Sequence, residues 1–305
     1  MFSTASAPDS NENVALEQWI LSPPKHTAID SLSTEHLTDM YITLPTRDGT
    51  RRPYEAPQVG NVLPFGHHLG FFHARRPETL LRADGTDEDI SPPTPFTKRM
   101  WASGNITWNS EIPLLVGKTT YGTSSVAKLE KKGFDEGKPM LFVTQKIELS
   151  QGENRMPSVV EERSHVYFHA EVFANRQRVF NREVKGLPAA PDFSLKYTPT
   201  PVTLFRYSSL MFNAHHIHLD KEYCQKEGYP ERLVHGPLTA QMLLEAVNFH
   251  HPDAKVRRFE YRATNPLFVN KELTIDGKWL DESTIQVWCS DGGVVGMTGK
   301  VELQQ

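Results

Sequence analysis

The sequence predicts an α+β protein built as two antiparallel sheets, each wrapping a central helix. Three observations predict it. Short β-type segments follow one another from Met100 to about Val184 and again from Arg258 to Leu303. A broad apolar helix opens at about Pro237, ahead of the second run. A stretch with four prolines, 186–201, lies between the halves.

Residues 1–12 are small and polar and read as a frayed end. Leu16, Trp19 and Ile20 then fall at i, i+3 and i+4, a helical spacing that Pro23-Pro24 ends. A second helix follows Ser33, with Leu37, Met40, Tyr41 and Leu44 on one face and Glu35 and Asp39 near its positive end. Arg51 to Pro64 reads as loop, Gly66 to Phe72 as a short apolar segment, and Arg75 to Pro95 as a polar excursion with an Ala83-Asp84-Gly85 turn. Strands are expected at Ile106–Trp108, Thr119–Val126, Met140–Leu149, Ser164–Phe173 and Arg178–Val184.

Proline lacks an amide donor and restricts its predecessor, so 186–201 reads as a semi-rigid linker. The expected organisation is an N-terminal domain at 1–185, the linker, and a C-terminal domain at 202–305. The second half begins with a strand at Val202–Phe205 and a His-rich irregular segment. In the helix from Pro237, Leu238, Met242, Leu243, Ala246, Val247 and Phe249 give an apolar surface too wide for an exposed helix. Strands at Arg258–Ala263, Glu272–Trp279, Thr284–Ser290 and Val294–Leu303 follow. A meander wrapped on one apolar helix is a hotdog, and two in one chain make a double hotdog.

Composition narrows the function classes. Across 305 residues, 33 Lys and Arg face 37 Asp and Glu, a net charge of −4. Nucleic acid or an anionic membrane would need clustered positive charge, so neither is an expected partner. No stretch approaches the roughly 18 apolar residues of a membrane span. Cys224 and Cys289 are too few for a disulfide scaffold and suit a reducing compartment. The first 48 residues hold seven acids but only two bases, Lys25 and Arg47, which fits neither a mitochondrial presequence nor a secretory signal. The end, Leu303-Gln304-Gln305, is no peroxisomal address. A cytoplasmic location is expected.

The 13 histidines are unevenly placed. His215, His216 and His218 crowd into four positions between Asn213 and Asp220, and His235-Gly236-Pro237 opens the apolar helix. Any one histidine is more often a hydrogen-bonded loop residue than a reactive one, but this density argues otherwise. Zinc binding by His215 or His216 with His218 and His235 is a weaker reading, because no carboxylate or Cys stands at a firm ligand spacing elsewhere. The reading we favour makes one histidine a general acid–base, since imidazole exchanges protons near neutrality. Gly236 complements it. The first amides of a helix lack internal acceptors, and a glycine lets a carbonyl come close, which together form an oxyanion hole. A base beside such a hole is what proton transfer α to a thioester carbonyl requires.

These motifs carry a resemblance. Phe205-Arg206-Tyr207-Ser208 through Asn213–Asp220, then Tyr229-Pro230 and Val234–Leu238, resemble the hydratase motif of MaoC-type (R)-specific enoyl-thioester hydratases. Within that superfamily the chain is most similar to the mesaconyl-C4-CoA (itaconyl-CoA) hydratase and type 2 hydroxyacyl-thioester dehydratase group. Leu63–His68, Pro92-Pro93, Arg99–Gly104, Phe259–Ala263 and Pro266–Phe268 share the resemblance, which covers most of the chain from about residue 14.

The resemblance implies a catalytic C-terminal hotdog and a degenerate N-terminal one that shapes the acyl pocket. It implies His218 as acid–base, Asn213 as holder of the attacking water, and the Gly236 N–H as oxyanion donor. His215, His216 and His235 become substrate-site residues, and Arg206 and Arg262 become contacts for a pantetheine or CoA phosphate. His67-His68 falls in the degenerate half and is expected as pocket wall. Two positions depart from the pattern. Asn213 stands where the wider family has Asp, and Asn cannot accept a proton. His216 stands where close relatives carry Arg, which weakens the case for an acidic acyl group.

The expected activity is hydration or dehydration of an acyl thioester, on CoA or acyl carrier protein, with neither metal nor redox cofactor. Two alternatives stand beside it. One is a hotdog enzyme recruited to secondary metabolism as a dehydratase, isomerase or cyclase of a polyketide-like substrate. The other is an acyl-binding protein without catalysis, which a plugged pocket would favour. A homodimer is compatible with the fold.

Overall fold

The computed structural model describes residues 10–88, 90–153, 155–174 and 176–304. The first nine residues, part of the end read as frayed, lie outside the described residues. Helix α1 spans Ser10–Leu21 and seats Leu16 against Phe96 and Leu141. Strand β1, Lys25–Asp30, follows Pro23-Pro24 and has no sequence signal beyond a weak alternation. Helix α2, Thr34–Tyr41, is capped by Ser33, whose hydroxyl accepts the His36 N–H, and it buries Leu37, Met40 and Tyr41 as the spacing predicts. Two single 3₁₀ turns, His67–Gly70 and Glu78–Leu80, punctuate the long connection to β2, Lys98–Trp108. Strands β3 (Thr120–Lys132), β4 (Met140–Gln151) and β5 (Pro157–Phe168) form a meander, and the short α3, Ala170–Ala174, ends it.

Three segments differ from expectation. Residues 178–184 have no regular structure, and the stretch expected as Ser164–Phe173 ends as a strand at Phe168. The Pro-rich stretch 186–201 is more than a linker, because Phe193–Tyr197 forms β6 at a sheet edge, hydrogen-bonded to β8, Leu273–Asp281. Its prolines all lie outside the five paired residues, which alternate buried and exposed. Val202–Phe205 lies in a helix instead of a strand. This helix, α4, runs Pro201–Leu210. Thr200 and Thr203 cap it reciprocally, Pro201 supplies the N1 position, and Leu204, Tyr207 and Ser208 bury at i, i+3 and i+4. That periodicity overrides the β-branched pair Val202 and Thr203.

Two short helices, α5 (His216–Leu219) and α6 (Lys221–Lys226), lead to α7, Gly236–His250. Every residue of α7 from Pro237 to Val247 is buried. Leu238, Met242, Leu243, Leu244 and Val247 are at most 2% exposed, and burying a side chain of this kind contributes about 1.5–3 kcal/mol. Strands β7 (Val256–Ala263), β8, β9 (Thr284–Asp291) and β10 (Val294–Leu303) complete the second half.

All ten strands form one sheet in the order β1-β3-β4-β5-β2-β7-β10-β9-β8-β6. With β6–β10 read as second copies of β1–β5, this is 1-3-4-5-2 followed by its mirror, 2-5-4-3-1. The two hotdog sheets meet where β2 pairs antiparallel with β7, from Ser103 opposite Arg262 to Thr107 opposite Arg258. The halves are unequal inside. The second wraps α7, whereas the β1-to-β2 connection carries, among the described residues, no helix longer than the eight-residue α2. One continuous apolar core spans both halves, from Leu37 and Met40 through α7 to Phe259 and Val287.

Candidate active site

The site is built on the end of α4. Asn213 N–H donates to the Ser208 carbonyl at 2.8 Å and Phe212 N–H to Ser209 at 3.2 Å, the paired bonds of a Schellman cap. Phe212 occupies the left-handed position of that cap with φ +47°. The cap turns the chain so that Asn213 Oδ1 accepts the His215 N–H at 3.1 Å. Asn213 Nδ2 has no hydrogen-bond partner among the described residues. On the other side the Ala83-Asp84-Gly85 turn supports the loop. The Asp84 carbonyl accepts His216 N–H at 2.9 Å, and a Cβ on Gly85 would stand 2.2 Å from the Ala214 carbonyl oxygen.

His218 sits on α5 with its Nδ1–H donating to the Leu233 carbonyl at 2.7 Å. That bond fixes the tautomer and leaves Nε2 as the basic nitrogen. Burial first, and the Arg99 guanidinium second, push the imidazole down to about 4, although the Leu233 bond opposes them. At neutral pH His218 is therefore an uncharged base. Its ring stacks on His235 with centroids 3.7 Å apart and planes at 22°. His235 is fully buried, is held far below the usual imidazole range by burial, and shares a 2.9 Å hydrogen bond with Ser208. It acts as a backing plate for His218.

His235 is also the residue before α7, so the chain that backs the base delivers Gly236 as the first residue of the helix. Gly236 N–H has no acceptor inside the helix, and Pro237 brings no N–H of its own. Glycine is required for contact, since a Cβ there would lie 2.8 Å from Trp101 Cγ on β2.

His218, Gly236 and Asn213 line a single cavity of about 850 Å³, within the ordinary range for small-molecule sites. The first half supplies the facing wall, including Trp101, Phe142 and His165. The other expected site residues separate. His215 and Arg262 line the cavity, as does His68, but His67, His216, His235 and Arg206 do not. His216 packs edge-on against Tyr223. Arg206 is exposed on α4 and reaches the Ile42 carbonyl at 3.4 Å, so it is no contact for a ligand in this cavity. Among the described residues no group of three His, Cys, Asp or Glu side chains converges to hold a metal ion.

Sequence reading assigned no role to a buried charge pair on the facing wall. Arg163 makes a two-pronged contact with Glu161, at 2.6 and 2.9 Å, and His68 approaches the same carboxylate at 3.4 Å. Arg163 and the histidine hold the Glu161 carboxyl near 2 against the opposing effect of burial. The signal was the period of two in β5, which puts Glu161, Arg163, His165 and Tyr167 on one face.

Comparison with known proteins agrees with this architecture. The model of the hydroxyacyl-thioester dehydratase type 2 family matches residues 66–269. The chain is 34% identical over 221 residues to mesaconyl-C(4)-CoA hydratase of Chloroflexus aurantiacus, covering 71% of this chain and 75% of that protein. It is 29% identical over 250 residues to the mitochondrial hydroxyacyl-thioester dehydratase type 2 of Schizosaccharomyces pombe, covering 72% and 80%. Among solved structures, a MaoC-like dehydratase from Phytophthora capsici superposes with a TM-score of 0.68 at 14% identity, over 95% of this chain and 99% of that one, a likeness of fold.

Proposed function

The chain belongs to the hydroxyacyl-thioester dehydratase type 2 family, and from that membership we propose that it is a hydro-lyase adding water to an enoyl thioester or removing it from a 3-hydroxyacyl thioester. The observation that carries the mechanism is the fixed tautomer of His218, whose Nε2 is basic in the cavity that Gly236 also lines.

The thioester carbonyl accepts the Gly236 N–H at the positive end of α7. Asn213 can hold a water through its amide nitrogen, because its oxygen is already engaged by His215 N–H. His218 Nε2 takes one proton of that water as its oxygen bonds to Cβ. The π pair moves to the thioester as an enolate, which the Gly236 N–H stabilises. His218 then returns the proton to Cα on the same face, and the sum is addition of one water. Dehydration runs the steps backwards. The C-terminal half carries the chemistry, while the first half, whose β1-to-β2 connection has no described helix longer than α2, gives the acyl group its room.

The recruitment to secondary metabolism drew in part on His216, and since that ring is off the cavity wall nothing at the site favours it. An acyl-binding role without catalysis is disfavoured by an open cavity that holds both base and donor. The relative from Schizosaccharomyces pombe is named as mitochondrial. No helix among the described residues is long and apolar enough to cross a membrane.

His218→Ala should lower kcat/KM for enoyl-CoA hydration by roughly 10²–10⁴, the value of a positioned acid–base group. The decay of enoyl-thioester absorbance measures it. Activity within about tenfold of the wild type, in a variant with unchanged circular dichroism, would remove His218 from the mechanism.

A further inference from the structure

The buried pair on the facing wall, Glu161 and Arg163, takes no part in the proposed mechanism. Its place in the sheet gives it one. Strand β2 has a one-residue irregularity between Trp101 and Ser103, so Trp101, opposite His165, and Gly104, opposite Arg163, both face inward although three positions apart. Gly104 has no side chain to fill the space before Arg163, and Tyr261 from β7 takes it: a Cβ on Gly104 would stand 2.2 Å from Tyr261 Oη. Trp101 is thereby packed by three groups. The Arg163 Cζ lies 4.6 Å from its ring centroid, the Tyr261 ring stacks at 6.0 Å and 20°, and His165 meets it edge-on at 5.2 Å. The same indole lies against Gly236, where a Cβ would be 2.8 Å from Trp101 Cγ.

A ligand anion is not what Arg163 awaits, since its charge is already matched. Its Nε and Nη2 donate to the two oxygens of Glu161 at 2.6 and 2.9 Å, and Glu161 is 1% exposed. Nor does fold stability account for the pair, because well-packed apolar residues in place of a buried ion pair are often as stable or more so. What apolar residues could not supply is a planar cation, fixed in orientation by two hydrogen bonds, over the face of an indole. That attraction is stronger for being out of water.

Resting on the hydro-lyase reading, we propose that Arg163, locked by Glu161, is a positioning residue for the oxyanion donor: it holds Trp101 against the first turn of α7 and so sets where the Gly236 N–H points. The clamped indole leaves Gly236 one distance of approach, so the donor is in place before a thioester arrives. A donor fixed in advance needs no reorganisation as charge develops, and a displacement of about 1 Å can cost roughly 10²-fold in rate.

The double variant Glu161→Gln/Arg163→Met tests this, because removing both members leaves no unpaired charge in the core. Hexadienoyl-CoA is the probe, since its absorbance moves to longer wavelength when a hydrogen bond polarises the thioester carbonyl. The wild type should shift the band of the bound probe, and the double variant should lose most of that shift while binding the probe with similar affinity. With crotonyl-CoA, kcat should fall roughly 10- to 100-fold at little-changed KM, part of the loss that follows removal of an oxyanion donor. Arg163→Lys, which keeps a cation over the ring, should recover part of both. A band shifted as fully in the double variant as in the wild type, or a fall in kcat/KM carried by KM alone, overturns the positioning role and leaves the hydro-lyase reading standing. Trp101→Phe, which shrinks the clamped ring, should also reduce the shift, and an unchanged band there overturns the role even if the double variant does not fold. Loss of the shift in the variants, with no enoyl thioester turned over by the wild type, fells the hydro-lyase reading and keeps the positioning role. A wild type that leaves the band unshifted overturns both the donor and its support.

Discussion

His218 shows how much the character of a proposed base owes to its environment. Histidine at this position was legible from the motif, but its protonation was not, because that depends on groups distant in sequence. Burial dominates, and Arg99 adds to it from β2, so the folded group titrates near 4. A base works only when unprotonated, so activity should be lost as pH falls through that value. Arg99→Met removes a cation that opposes protonation, which raises the His218 pKa and moves the acid limb of kcat/KM to higher pH. A pH–rate profile with crotonyl-CoA checks it, and a limb that stays put or moves lower would show that the charge is screened from the base. The same distance explains why Arg99 escaped assignment on sequence. It stood inside a recognisable stretch, Arg99–Gly104, and nothing local showed that its charge reaches His218.

Helices α4 and α7 were not equally legible. The apolar breadth of α7 announces burial from any direction, and the observed helix is buried around its whole circumference over 11 residues, from Pro237 to Val247. Helix α4 was hidden because its first turn, Pro-Val-Thr-Leu, is β-like in composition and its cap uses Thr203 where Glu or Gln is usual. Its far end matters more for function. The Schellman cap that sets Asn213 in place asks for a left-handed residue, and Phe212 fills it at 65% exposure with little packing in return. A β-carbon in this conformation costs roughly 1–2 kcal/mol. Phe212→Gly should therefore raise stability, by about 1 kcal/mol in urea unfolding. A loss of stability would mean that the exposed ring packs better than its exposure suggests.

At the scale of the molecule, alternation and turns were enough for an α+β double hotdog, but not for the continuity of its sheet. The β2–β7 pairing joins residues more than 150 positions apart and leaves no local trace. Nor did the sequence show that buried ions tie the halves together. Glu245 in the middle of α7 meets Arg47 at 2.9 Å and Thr46 at 2.6 Å, both from the first half, with His67 at 3.7 Å. Burial, with Arg47, pushes His67 down to about 3. The unfolded chain binds a proton there near 6.5, so stability falls as pH drops below that value, by at most about 1.4 kcal/mol per unit for this one ring. Glu161, held near 2, works in the same direction: its contribution is present above the unfolded carboxyl range of about 4.3 and is lost as pH falls from there towards 2. Urea midpoints should therefore drop between pH 7 and pH 5, before carboxylates titrate, and more steeply below pH 4.5. A midpoint that is flat from 7 to 5 would contradict neutral burial of the imidazole.

The mirror order of the strands gives the polypeptide two corners related by a false dyad, yet only one of them has a rod to begin. A site that needs the start of such a helix can form once per chain, so the duplication has not doubled the number of reactive centres. Under the proposed mechanism one copy is free of catalysis, and its sheet face can change to suit a new acyl group while the other corner stays as it is.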